Sequence, residues 1–160
     1  ALKMNKKYLI IAICSLTMSA FATNTIDQTV DTETKLVVHK TATCGCCKAW
    51  VKHIEKSGFI TDVQNHKNLA EIKEALGIKP QYRSCHTGVS ADGYIFEGHI
   101  PSKYVTQFLS EDHPNALGLS VPGMPLGSPG MEVGDRFMPY EVLLLNKDGS
   151  SEVYAEVSKK

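Results

Sequence analysis

The spacing of apolar positions changes several times along the chain, and each change marks a predicted element. Apolar residues at i, i+3, i+4 and i+7 from Cys47 onward predict an amphipathic helix, which Gly58 ends as a C-cap residue would. Asp92 and Gly93, between two β-prone runs, predict a hairpin turn. In chain order the pattern predicts a strand, a helix, a strand, a helix, two strands and a helix, at 36–39, 47–54, 59–63, 69–76, 85–90, 94–99 and 101–109.

The order β-α-β-α-β-β-α is that of the thioredoxin fold, so we expect an α/β, thioredoxin-like domain over residues 35–113. Residues 114–139 differ, since five prolines and five glycines argue against regular structure there. A closing β-hairpin is predicted at 140–145 and 152–157. We therefore expect a Pro/Gly/Met-rich C-terminal extension over residues 114–160.

The pattern of the N-terminal residues predicts an export signal. Lys6 and Lys7 precede an apolar stretch of about a dozen residues, which is too short to span a bilayer. Residues 20–22 (Ala-Phe-Ala) fit a small-x-small cleavage site. We expect a cleavable signal peptide over residues 1–22 and a flexible leader over 23–34; a retained N-terminal anchor is the alternative.

Charge and composition narrow the classes of partner. The chain has 17 basic and 17 acidic residues, and no basic run is interleaved with aromatic residues, so nothing indicates nucleic-acid binding. No second apolar span follows the signal, so we expect no stable membrane insertion after cleavage. The absence of an obvious dimerisation helix favours a monomer.

Three cysteines, Cys44, Cys46 and Cys47, lie within four positions at the predicted start of the first helix. The free N–H groups and partial positive charge of a helix N-terminus favour thiolate over thiol. Cys44 and Cys47 have the spacing of a redox disulfide, but a disulfide exchanger does not need Cys46. Three or four thiolates in one place suit Cu(I) above all, then zinc, and thiolate sulfur also bridges two soft ions.

A fourth cysteine, Cys85, falls at the start of the predicted third strand, where the loop of a thioredoxin-like fold faces the active cysteines. We expect Cys85 to supply a fourth sulfur. His86 should point to the opposite face if both residues lie on a strand. Soft-metal chemistry also recruits imidazole and thioether groups, so the candidate outer ligands or supporting groups are His86, His99, Met124 and Met131.

Other uses of the cysteines stay open. A structural disulfide is disfavoured because adjacent cysteines make a poor cross-link, and a zinc site departs from the usual two-residue spacing. The main rival is a thiol–disulfide oxidoreductase that acts through Cys44 and Cys47. A passive copper metallochaperone, which hands on copper without changing its oxidation state, is the third alternative.

Four sequence blocks carry a resemblance to a known family. The chain resembles the CopG-like copper-resistance proteins of Gram-negative bacteria over about residues 35–157. The blocks are 43–47 (Thr-Cys-Gly-Cys-Cys), 83–87 (Arg-Ser-Cys-His-Thr), 97–101 (Glu-Gly-His-Ile-Pro) and 121–132 (Val-Pro-Gly-Met-Pro-Leu-Gly-Ser-Pro-Gly-Met-Glu).

The resemblance implies a copper cluster at the Cys-x-Cys-Cys motif, held together with the cysteine that matches Cys85. It implies a C-terminal extension that helps to bind the metal, and a periplasmic location. It also implies Cu(I)/Cu(II) interconversion beside a copper efflux system or a periplasmic copper carrier. The hypothesis from the sequence is a periplasmic copper-binding protein of copper resistance, with copper oxidoreductase activity left open.

Overall fold

The computed structural model describes residues 34–159, which build an α/β fold on one seven-stranded sheet. The predicted signal peptide, and all of the predicted leader except Thr34, lie outside the described residues. The elements are β1 (Lys35–Thr41), α1 (Gly45–Glu55), β2 (Ile60–His66), α2 (Ala70–Ala75), a 3₁₀ turn (Pro80–Tyr82), β3 (Thr87–Ser90), β4 (Ile95–Gly98), α3 (Ser102–Leu109), β5 (Ala116–Val121), β6 (Tyr140–Asn146) and β7 (Ser151–Val157).

The strands lie in the order β2-β1-β3-β4-β5-β6-β7. β1 and β2 are parallel, and they are joined by α1 because parallel neighbours need a crossover connection. β3 runs antiparallel to both β1 and β4, with a tight turn between β3 and β4. The mixed α/β class is confirmed, and the elements through α3 follow the predicted order.

The helix α1 begins at the cysteine cluster. Cys44 is its N-cap residue, and Cys44 Sγ accepts the backbone N–H of Cys47 at 3.2 Å. The predicted apolar stripe faces the core. Nε1 of Trp50 donates to the carbonyl of Ile100 at 2.8 Å, so the first turns of α1 are tied to the segment that follows β4.

The prediction of irregular structure from 114 to 139 was wrong for the six residues of β5. This strand pairs parallel with β4 and antiparallel with β6. Pro114 and Pro122 lie outside it, and its one glycine is required by packing. A Cβ on Gly118 would lie 1.9 Å from the carbonyl oxygen of Ile95, so the glycine permits a close approach of two strands.

The predicted closing hairpin is present as β6 and β7, and β5 joins it to the edge of the sheet at β4. The predicted extension therefore continues the sheet. Between β5 and β6 the chain is irregular apart from one isolated bridge, Val133 to Arg136. The domain boundary between residues 113 and 114 stays a prediction. Within the described part of the chain, none of the helices has the length and apolar character needed to cross a bilayer.

Candidate metal centre

The four cysteines singled out from the sequence lie together. Their sulfurs are all within 4.8 Å of one another, and Cys44 Sγ is 3.4 Å from Cys46 Sγ. Cys44 and Cys47 form a disulfide, whereas Cys46 and Cys85 are free and half-buried. The group therefore offers two thiols in this state and four sulfur ligands when the disulfide is reduced.

Cys85 lies in the loop between the 3₁₀ turn and β3. The prediction that the third strand starts at residue 85 was wrong, because β3 begins at Thr87. The side chains of Cys85 and His86 therefore need not point to opposite faces, as neighbouring side chains on a strand do. His86 was expected to point away from Cys85 only if both residues lay on a strand, and neither does: His86 Nδ1 lies 3.3 Å from Cys85 Sγ.

His99 approaches Cys85 from the end of β4. Its Nε2 lies 3.0 Å from Cys85 Sγ, and its Nδ1 lies 2.8 Å from the carbonyl oxygen of Pro129. A carbonyl only accepts, so Nδ1 carries the proton and Nε2 presents a lone pair. Cys85, His86 and His99 thus form a second group of three donors, also within 4.8 Å of one another, and Cys85 belongs to both groups.

His86 is fully buried beside the ring of Trp50, with a distance of 4.4 Å between ring centroids. Its Nε2 has no hydrogen-bond partner among residues 34–159. Burial, with smaller contributions from His99 and Lys73, holds the pKa of His86 well below its ordinary value. The imidazole is therefore neutral and able to ligate. A buried polar atom without a partner costs about 1–3 kcal/mol, whereas the other ring nitrogen, Nδ1, is the one that faces Cys85.

Cys85 lies outside α1, and burial is the largest influence on the pKa of its thiol. Burial, followed by the nearby thiol of Cys46, raises the pKa of Cys85 to about 12. Burial also lowers the pKa of His99, against the opposing effect of the Pro129 carbonyl. Both shifts favour neutral groups, so the contact between Cys85 and His99 is a thiol that donates to an imidazole.

The irregular segment after β5 packs on both sides of the site. A Cβ on Gly130 would lie 2.6 Å from the carbonyl oxygen of Cys46, so the backbone there touches the start of α1. Ser84, next to Cys85, donates its hydroxyl to the carbonyl of Gly123. Met124 is exposed and Met131 is half-buried in this segment. Their role as ligands stays a prediction.

Sequence reasoning assigned no role to a buried polar network beside the site. Lys73 and Glu97 form an ion pair that is almost completely shielded from solvent. The signal was present in the sequence, since Glu97 is the one charged residue in the apolar run of β4. The role of Glu97 depends on its contacts with residues that are distant in the sequence.

Comparison with known proteins agrees with the resemblance seen in the sequence. A family model described as a protein of unknown function, DUF411, matches residues 82–131, which contain Cys85 and both histidines of the site. No curated protein sequence matches the chain.

Two solved structures of a copper resistance protein, copG, match with 41% sequence identity each. Form 2 has a TM-score of 0.73 and aligns over 78% of this chain and 98% of its own. Form 1 has a TM-score of 0.72 and aligns over 77% of this chain and 96% of its own. At this identity, over nearly the whole of the matched structures, the chain belongs to the CopG family of copper resistance proteins.

Proposed function

We propose that this protein is a periplasmic copper-binding protein of copper resistance, and that it holds Cu(I) and interconverts Cu(I) and Cu(II). One observation carries the proposal: Cys85 is shared by a group of four sulfurs and a group with two imidazoles. In the reduced protein, Cys44, Cys46, Cys47 and Cys85 act as thiolate ligands.

The donor atoms of the four-sulfur group are chemically softer than those of the group with two imidazoles. The four sulfurs suit Cu(I), whereas imidazole also suits Cu(II). Since a thiolate bridges soft ions, the shared Cys85 favours a polynuclear, thiolate-bridged centre with His86 and His99 on one side. Unequal ligand sets on either side of one sulfur allow both oxidation states at the same centre, which supports a redox role.

The disulfide between Cys44 and Cys47 favours a second candidate function, thiol–disulfide oxidoreductase activity. A disulfide removes two of the four thiolates, so disulfide formation and full copper binding exclude each other. The two functions make opposite demands on Cys46: disulfide exchange through Cys44 and Cys47 does not need it, and the copper–thiolate centre does.

The discriminating experiment is an anaerobic titration of the reduced protein with Cu(I) against a competing chelator. We expect Cys46→Ser to weaken copper binding strongly, and the triple variant Cys44→Ser, Cys46→Ser, Cys47→Ser to abolish tight binding. Thr43→Ser is the matched control, because it alters the same exposed turn without removing a sulfur. Full disulfide exchange by Cys46→Ser, combined with unchanged copper binding, would favour the oxidoreductase.

The redox role needs its own measurement. Optical and paramagnetic resonance spectra of the copper-loaded protein should change reversibly as oxidant and reductant are added, because Cu(II) is paramagnetic and Cu(I) is not. A passive metallochaperone would release copper on oxidation without a bound Cu(II) signal. Transfer of copper to an efflux system or a periplasmic carrier would then be tested with the loaded protein as donor.

A further inference from the structure

The segment from Ser84 to Thr87 carries Cys85 and His86, and one carboxylate holds both of its ends. Glu97 Oε1 accepts the backbone N–H of Ser84 at 2.5 Å. Glu97 Oε2 accepts the hydroxyl of Thr87, also at 2.5 Å. Two ligand candidates of the metal centre therefore lie between the two anchor points of a single side chain.

The carboxylate is held in turn by Lys73 of α2. Nζ of Lys73 donates to Glu97 Oε1 and to the Thr87 hydroxyl, the latter at 2.9 Å. Lys73 is 4% exposed and Glu97 is 0% exposed. Taking such a pair out of water costs so much that apolar residues of similar volume are often as stable. Net stability is therefore a poor explanation for the pair, whereas its hydrogen bonds to the Cys85 segment are a direct one.

The end of β4 also places His99 next to Cys85. Gly98 lies between Glu97 and His99 with φ of +80°, and a Cβ there would be 2.5 Å from the carbonyl oxygen of Val121 and 2.7 Å from Cβ of Ser84. The backbone at Gly98 thus approaches the Cys85 segment as closely as only glycine allows. We call the two hydrogen bonds from Ser84 and Thr87 to Glu97 the clamp. The backbone at Gly98 fixes the position of the clamp relative to the His99 imidazole.

We infer that Glu97 is a positioning residue of the metal centre, which fixes the Cys85 thiol against the three cysteines at the start of α1 through its hydrogen bonds to Ser84 and Thr87. The inference rests on the proposed copper function, because Glu97 would hold a ligand of that site in place. Groups that hold metal ligands in place typically contribute about 10–100-fold to metal affinity, so a loss of that size is expected when the clamp is removed.

The test uses paired substitutions, since a change at Glu97 alone would leave Lys73 buried without a counter-charge. Lys73→Met with Glu97→Leu removes the clamp and both charges. Lys73→Met with Glu97→Gln keeps an acceptor for the Ser84 amide and is the conservative rescue. By anaerobic Cu(I) competition, we expect about a 10–100-fold loss of affinity for the Leu variant and recovery of most of it by the Gln variant.

A double-mutant cycle separates positioning from general damage. In a Cys85→Ser background the Leu variant should lose much less affinity than in the wild-type background, because only His86 is then left as a ligand candidate in the segment that Glu97 holds. An equal loss in both backgrounds would overturn the inference. Thermal unfolding of each metal-free variant checks that the fold survives. If the Leu variant does not fold, Thr87→Val takes its place, because it removes one of the two hydrogen bonds to Glu97 and should also weaken Cu(I) binding.

A second measurement does not depend on copper. With Cys44, Cys46 and Cys47 all replaced by Ser, Cys85 is the one cysteine left among the described residues, and its alkylation rate reports how firmly the segment is held. Loss of the clamp should raise that rate, and an unchanged rate would overturn the inference. If the wild-type protein bound no copper, the proposed function would fail while this assay still decided the role of Glu97.

Discussion

The sulfur of Cys85 lies 3.0 Å from Nε2 of His99, and this contact joins the sulfur-rich half of the site to its imidazole half. Because the Pro129 carbonyl accepts a hydrogen bond from the N–H at Nδ1, the lone pair of Nε2 faces the thiol. Burial favours the neutral form of both partners. The thiol of Cys85 therefore donates a hydrogen bond to the lone pair of Nε2, and both atoms belong to the second group of donors.

Copper binding should release the proton of Cys85. Its pKa of about 12 means that the thiol is protonated near neutral pH, whereas a ligating cysteine is a thiolate. Apparent Cu(I) affinity should therefore rise about tenfold per pH unit for each thiol proton displaced. Chelator competition at several pH values measures this slope. Cys85→Ser should reduce it by one proton, and an unchanged slope would show that Cys85 is not a ligand.

Replacing His86 should stabilise the metal-free protein. His86→Phe removes the buried Nε2 that has no partner among residues 34–159 and keeps an aromatic ring against Trp50. We expect a gain of about 1 kcal/mol in the free energy of unfolding, measured with urea. The same variant should weaken copper binding, so stability and affinity should move in opposite directions.

His99→Phe is the matched control for that prediction. Both ring nitrogens of His99 have partners, namely Pro129 and Cys85. Its loss leaves the buried Pro129 carbonyl unpaired, so the metal-free protein should be destabilised by about 1–3 kcal/mol. If both variants stabilised the protein equally, the unpaired nitrogen of His86 would not be the cause.

The stability of the metal-free protein should fall as the pH is lowered through the histidine range. The pKa of His86 is well below its ordinary value of 6.5 in the folded protein, mainly through burial. Below that value the unfolded chain binds a proton that the folded chain does not. The contribution is therefore complete above about pH 6.5 and is lost below it, at up to about 1.4 kcal/mol per pH unit.

Urea unfolding at several pH values between about 5 and 7.5 measures this dependence. His39, His53 and His99 have pKa values shifted in the same direction, with burial as the largest cause in each case. His86→Phe should make the profile shallower without flattening it. A profile identical to that of the wild type would mean that His86 binds protons equally in the folded and the unfolded protein.

The segment after β5 should depend on Gly130. Its φ of +89° and the 2.6 Å approach of a Cβ to the Cys46 carbonyl make any side chain costly there. Gly130→Ala should destabilise the protein by more than about 1 kcal/mol and shift the backbone that leads into Met131.

Gly123→Ala is the matched control for Gly130→Ala. Gly123 has a φ of +70°, but a Cβ at this position would meet no heavy atom within 4 Å, so only the backbone cost applies. Urea unfolding compares the two variants, and Cu(I) competition shows whether the Met131 segment contributes to binding. Equal destabilisation by the two substitutions would contradict the packing of Gly130 against α1.

Much of the fold was predictable because its signals are local. Helical spacing from Cys47 to Ile54 placed α1, and the turn at Asp92 and Gly93 placed the β3–β4 hairpin. The strand β5 was missed because glycine and proline content suggested a loop. Gly118 is a packing requirement set by Ile95 on the neighbouring strand, and no local pattern carries that information.

The local sequence pattern was enough to place three thiols at the start of a helix. The cysteine spacing and the apolar stripe that follows it both lie within a few helical turns. Cys85, 38 residues beyond Cys47, could be expected as the fourth sulfur only through the predicted fold order, and long-range packing brings it to the other three. Packing also turns His86 toward Cys85 and sets Glu97 against the segment that carries both. The physical reason is that such contacts depend on strand register and on where β3 begins, and both are set by pairing across the whole sheet.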